Sequence, residues 1–365
     1  MTSARYSFAM LTCGGATYAF GGFDEDNKVV EHAERFDWAS KKWEKFYTTG
    51  TSLAGLAFPQ GACYSPTQKP EPPTAGKVLL SGGRSIPTYI YQFDPVNGSV
   101  VLLKKSPYRL GTLSNAAGSF RNYVLLVNLR LDPVLFDGAQ FKLANQPYQV
   151  VKIFRNKGRK AGATMGNVHY LCGGNVGAAE ECYSYNFDTD RWSVVTAKMP
   201  AALYGAASAA SGDYLYVADG LVSGGHSRGL FRFDPKNNVW EKMARLKKRR
   251  TYGAAAAIEL SGKPFLMACG GIDDVARQVQ SDCELYDIEA NAWLEAEKMT
   301  SARTSFVMLT CGGATYAFGG GGDDHQVVRH VERFDWASKK WEKLSTTGTL
   351  PKAILSQPQG ACYFP

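Results

Sequence analysis

Apolar residues in this chain come in short runs that end alike, in two small residues. The runs are TYAFGG at 17–22, KVLLSGG at 77–83, VHYLCGG at 168–174, LYVADG at 215–220, FLMACGG at 265–271 and TYAFGG at 315–320. A second apolar run precedes them, such as SFAML, GAASAA or GAAAAI. An aromatic–Asp pair follows, at Phe36-Asp37, Phe93-Asp94, Phe136-Asp137, Phe187-Asp188, Phe233-Asp234, Tyr286-Asp287 and Phe334-Asp335. A Trp lies seven residues beyond the aromatic at Trp43, Trp240, Trp293 and Trp341, and five beyond it at Trp192. Runs this short, bounded by turn residues, predict strands, four to a unit. The aromatic–Asp pairs recur every 43 to 57 residues, a period that signals a solenoid or a propeller.

The polar residues between the runs fit that layout. Asp after the aromatic, followed by Pro or Asn in DPVNG and DPKNN, offers a side-chain acceptor to a hairpin turn. Gly-Gly allows positive φ and close backbone approach where a strand ends. The aromatic and the Trp are large enough to fill the space between neighbouring sheets. Two units depart: YVLLVNL at 123–129 lacks Gly-Gly, and no Trp follows Phe93 or Phe136.

Gly-Gly, aromatic–Asp and Trp, in that order and about fifty residues per unit, resemble the kelch repeat. That resemblance covers essentially the whole chain and implies an all-β fold, a kelch β-propeller of four-stranded blades. As one propeller over 1–365, its blades fall near 1–55, 56–106, 107–153, 154–199, 200–247, 248–298 and 299–348, with a tail at 349–365.

One passage is repeated outright. ERFDWASKKWEK stands at 34–45 and again at 332–343, Met1–Tyr47 and Met299–Ser345 share about three quarters of their residues, and PQGACY occurs at 59–64 and 358–363. The offset of 298 residues is six units, so the seventh unit restarts the first. Two arrangements follow: a closed ring of seven blades, or a ring of six with an extra blade. Seven is preferred here, since an orphan blade exposes apolar faces at a cost of several kcal/mol.

Composition narrows the class. Of 365 residues, 45% are apolar and 20% charged, as in ordinary globular proteins. No apolar run approaches the roughly 18 residues of a membrane span, and MTSARYSFAMLTCGG has no secretory pattern, so a cytoplasmic protein is expected. The net charge of +8 suits an acidic partner. The basic run LKKRR at 246–250 lacks the interleaved aromatics of a nucleic-acid surface. Eight cysteines contain no CxxC, and Cys172 and Cys269 precede Gly-Gly while Cys182 and Cys283 open the next strand. They read as buried thiols. The five histidines form no HxxxH or HExxH pair, so no metal, cofactor or catalytic residue is assigned.

Function is expected on the loops at the ends of the channel. The duplicated units differ mostly in the loop between their second and third strands, at 23, 24, 25, 27, 28, 31 and 33, which marks relaxed packing or a diversified contact surface. Alignment on the small-residue run puts Arg5, Arg159, Arg250 and Arg303 at one position opening the first strand, with Tyr108 in the third unit. In BTB-kelch ubiquitin-ligase adaptors, similar arginines line a mouth that holds an acidic peptide. By that resemblance these five are the expected partner contacts, with Lys247, Lys248 and Arg249 adding charge. The resemblance implies a non-catalytic protein-interaction module, a substrate adaptor or scaffold, whose further modules such as BTB would lie outside this chain. The competing readings are a galactose-oxidase-like or sialic-acid-mutarotase-like enzyme, and an actin or cytoskeleton binder.

Overall fold

In a computed structural model the chain forms two compact units, Met1–Glu71 and Pro72–Pro365. The structure describes residues 9–13, 16–20, 24–26, 28, 33–37 and 41–46 of the first unit. In the second it describes 76–82, 89–108, 117–127, 133–145, 160–174 and 180–363, except 224, 261, 274, 324–325, 349, 352–354 and 357.

The described residues of the first unit form one antiparallel sheet of Ala9–Cys13, Ala16–Phe20, Ala33–Asp37 and Lys42–Phe46, in chain order. The second holds six antiparallel sheets of four strands each, a propeller of six blades. Five have their innermost strand first in the chain: Gly118–Phe120, Ala161–Met165, Ala207–Ser211, Ala254–Leu260 and Val307–Cys311. The sixth is built from Lys77–Gly82, Tyr89–Phe93 and Val100–Lys105, and its innermost strand is Pro358–Tyr363 from the far end of the chain.

That strand closes the ring. Each innermost strand touches the next, and Pro358–Tyr363 touches both Val307–Cys311 and Gly118–Phe120. The apolar core divides accordingly. Among the described residues it has six clusters, each at the junction of two adjacent blades. The preference for seven blades is therefore corrected to the alternative, six blades in the ring and an extra one. The tail supplies the missing strand of the 77–105 blade and so ends the circle after the 307–344 blade. The innermost strands carry Ala, Gly, Ser and Thr because they crowd around one channel, a cavity of ≈ 340 Å³.

The motif residues meet as cross-strand partners. Phe36 faces Trp43, Phe233 faces Trp240, Tyr286 faces Trp293 and Phe334 faces Trp341, with ring centroids 5.0–5.3 Å apart. Such pairs add to the area they bury. In the 161–195 blade the partner of Trp192 is Tyr185, not Phe187, which restores the seven-residue spacing. Asn186 then takes the place of Asp, and its Oδ1 accepts from the amides of Asp188 and Thr189. Asp234, Asp287 and Asp335 do the same in their turns.

The six cysteines from Cys172 onward do not stand as the thiols expected from the sequence. Cys172 and Cys269 end second strands, and each faces the first residue of the third strand, Cys182 or Cys283. Both pairs are disulfides, and a third joins Cys311 to Cys362 of the closing strand. Recurrence at directly opposed strand positions brought each of the first two pairs to a Cα separation of 4.1 Å.

Candidate functional site

Among the described residues, loops between second and third strands and the connections entering blades share one end of the propeller. The Gly-Gly pairs hold that end together. Gly270 and Gly271 have φ of 62° and 91°, and Gly319 and Gly320 have 63° and 90°, in the region that favours glycine. The second glycine donates its amide to the residue that opens the next blade: Gly174 to Leu203 at 3.0 Å, Gly271 to Arg303 at 2.8 Å and Gly320 to Leu355 at 2.7 Å. A Cβ at Gly319 would lie 2.4 Å from the Leu355 carbonyl oxygen, so the backbones leave no room for a side chain.

The first glycine presents its carbonyl to a buried cation. Gly173 accepts from Lys160 Nζ at 2.7 Å, Gly270 from Arg250 at 3.1 Å and Gly319 from Arg303 at 2.9 Å. Each arginine also meets a buried carboxylate on the third strand of its own blade: Arg250 with Glu284 at 2.7 Å, and Arg303 with Glu332 at 2.8 Å. Arg250 further donates to Asp282 O, and Arg303 to His330 O. The Lys160 ammonium also sits 5.5 Å from the Tyr183 ring centroid.

Both arginines are fully buried. Guanidiniums buried this deeply among carbonyls and an internal carboxylate present no face to a partner, so Arg250 and Arg303 hold the fold instead of lining a mouth. Tyr108 is half-buried against the core of the 77–105 and 118–143 blades. Arg5 and Arg159 lie outside the described residues. The strand register also moves the alignment: Arg250 and Arg303 stand four residues before their inner strands, whereas Arg159 stands two before Ala161.

The glutamates were the unread half of this arrangement. Glu284 accepts from the backbone amides of Lys247 at 2.7 Å and Lys248 at 3.1 Å, and Glu332 from Thr300 at 2.6 Å. One carboxylate thus fixes both the guanidinium and the connection that enters the blade. Burial favours the acid form of Glu332, but hydrogen bonds from His330 together with the charge and bonds of Arg303 outweigh it and hold the group near 2. In the 207–243 blade, Asp219 replaces the first glycine. Its carboxylate accepts from the amides of Gly220 and Arg250. Burial pushes it up to about 7 despite those bonds.

The clamped connection carries its charge outward. Lys247, Lys248 and Arg249 are exposed, as is Arg228, which donates to Lys247 O at 3.2 Å. Lys248 pairs with Asp282 at 3.0 Å, and Arg249 O accepts from Gln280 Nε2. The channel differs in character. Its described lining is small and apolar side chains with the hydroxyls of Ser119, Thr164, Ser208 and Thr310. Among the described residues no cluster of three His, Cys, Asp or Glu could hold a metal ion. No helix among them is long and apolar enough to cross a membrane.

Comparison with known proteins gives a consistent picture. A family model described as the Kelch motif matches residues 4–46, 202–247 and 302–348. The kelch repeat and BTB domain-containing protein F47D12.7 of Caenorhabditis elegans is 30% identical over 34% of this chain and 22% of its own length. Mouse Kelch-like protein 35 is 32% identical over 37% of this chain and 23% of its own. Mouse Kelch-like protein 36 is 31% identical over 47% and 28%. The matched part is thus less than a third of each relative. The solved structure of YjhT superposes with a TM-score of 0.55 over 73% of this chain and 94% of its own, at 13% identity, which speaks for the fold alone.

Proposed function

The chain is a kelch-repeat β-propeller, and from that premise we propose that it recognises a protein partner through the end of the propeller that carries Lys247, Lys248 and Arg249. One observation supports this reading most: the Glu284 carboxylate fixes the backbone of Lys247 and Lys248 while leaving their side chains in water. A preordered basic segment loses little freedom when it binds. Asp282 already meets Lys248, and the charges of Lys247 and Arg249 beside it leave a net positive segment that a further anionic group would offset. An acidic peptide segment is the complementary partner. Kelch-like and BTB-containing relatives support an interaction module, with further modules outside the matched region. The same proposal takes the protein as a non-catalytic adaptor or scaffold in the cytoplasm, with Cys172, Cys182, Cys269 and Cys283 of its disulfides buried away from the reducing pool.

Affinity purification of partners with the propeller as bait tests the reading. A triple substitution of Lys247, Lys248 and Arg249 to Ser should weaken capture of the acidic partner about tenfold or more at low salt. Exposed ion pairs contribute about 0–1 kcal/mol each, so several must act together and salt should weaken them. Equal binding by the triple variant at low salt would refute the basic segment as the contact.

A further inference from the structure

The ring is closed by a module that this chain contains twice. In the structure the module is the 307–344 blade with the strand Pro358–Tyr363, which completes the 77–105 blade. Ala9–Cys13, Ala16–Phe20, Ala33–Asp37 and Lys42–Phe46 form the same four-stranded sheet, and 59–64 repeat PQGACY letter for letter. Twelve residues separate sheet and strand in one copy (47–58) and thirteen in the other (345–357). The two copies differ in place: 65–76 tie the first to the 77–105 blade, and 297–306 tie the second to the 254–296 blade. Those are the two blades that the closing module must join.

The side chains that the ring buries in the module recur in the other copy. Phe306, Phe318, Phe334 and Trp341 are buried against neighbouring blades, and at an offset of 298 they become Phe8, Phe20, Phe36 and Trp43. The Arg303–Glu332 pair becomes Arg5 and Glu34, and Thr310, which donates to Ala257 O of the 254–296 blade, becomes Thr12. In the closing strand, buried Gln359 and Ala361 become Gln60 and Ala62. Within the blade two buried contacts shrink: Val307 becomes Ala9 and Val331 becomes Ala33. Each truncated valine leaves packing unfilled. The second copy therefore fits the gap slightly better, which accounts for its place in the ring.

We propose that the two copies are interchangeable closures of one six-bladed ring, and that residues 1–64 take the position of 299–363 within the same chain when the second copy is weakened. The five blades between, 77–296, serve both closures. Only the first strand of the 77–105 blade is then exchanged, 59–64 for 358–363. The twelve residues between 64 and Lys77 are enough for that strand to pair antiparallel with Lys77–Gly82, because loop cost rises slowly with length.

The test uses the full chain carrying Glu332→Ala and Trp341→Ala, which removes the buried ion pair and the cross-strand aromatic of the second copy. Exchange predicts a monomer whose cooperative melt stays within a few degrees of the parent. Hydrogen exchange read by mass spectrometry should then show protection lost over 307–344 and gained over 9–46. The same substitutions in residues 72–365, which lack the first copy, should abolish the cooperative melt. Loss of the cooperative melt in the full chain would overturn the proposal, as would unchanged exchange over 9–46. Protection gained only in dimers would also overturn it, since the module would then have entered the ring of a second chain.

Discussion

The Arg250 guanidinium and the Glu284 carboxylate meet at 2.7 Å with essentially no exposure to water. Their bond joins the connection that opens the 254–296 blade to its third strand, and Glu284 also takes the amides of Lys247 and Lys248. The basic segment offered to a partner is therefore held by a buried pair directly beneath it. Stability and recognition are linked through one carboxylate.

Removing one member of a buried pair strands the other charge in a dry site, at a cost of about 3–5 kcal/mol. Glu284→Ala should lower the urea midpoint accordingly. Arg250→Met combined with Glu284→Leu should recover part of the loss, since neither charge is then left alone. Equal midpoints for Glu284→Ala and the parent would show that this pair does not hold the blade.

These two residues also show how much of the site was legible. Arginine at the opening of a unit was visible in the sequence, but its role needed its partner. The partner was there to read. The units with Arg250 and Arg303 carry Glu two residues before the aromatic, in CELYD and VERFD, and AERFD accompanies Arg5. The unit with Arg159 has Tyr183 at that place, and there the structure uses Lys160 instead. Co-occurrence of Arg and Glu is the mark of an internal ion pair, where arginine alone suggests a binding surface. The blade architecture was legible because Phe–Trp spacing, Gly-Gly and Asp turns are local and repeat. The number of blades was not, because PQGACY stands at both ends of the ring segment and only three-dimensional pairing chooses between its copies.

Asp219 gives the propeller a pH dependence of defined sign. Its carboxyl ordinarily titrates near 3.8 and in the fold near 7. Between these values the folded state holds a proton that the unfolded chain has released. Stability contributed by the neutral acid is then present at pH 4 and lost as pH rises through 7. Glu332 acts in the opposite sense, contributing above 4.5 and losing its effect as pH falls toward 2. Urea midpoints of the parent and Asp219→Asn, measured from pH 4 to 7.5, should diverge, the parent losing stability relative to the variant as pH rises. Parallel curves would show that Asp219 is ionised throughout.

The closing strand yields the last prediction. Pro358–Tyr363 pairs with Lys77–Gly82 across six positions, and Cys362 is bonded to Cys311 of the adjoining blade. Ser119 of the blade on the other side donates to Cys362 O at 2.5 Å. One strand therefore fastens three blades through partners that lie beyond residue 72. A chain of residues 72–365 should fold as a monomeric ring with one cooperative transition, melting within a few degrees of the corresponding transition in the full chain. Removing 356–365 from that shorter chain takes away the closing strand and leaves no copy of PQGACY to replace it. The 77–105 blade then lacks its inner strand, and amides of Lys77–Gly82 should exchange at least a hundredfold faster. Unchanged protection there would mean that the ring does not depend on its closing strand.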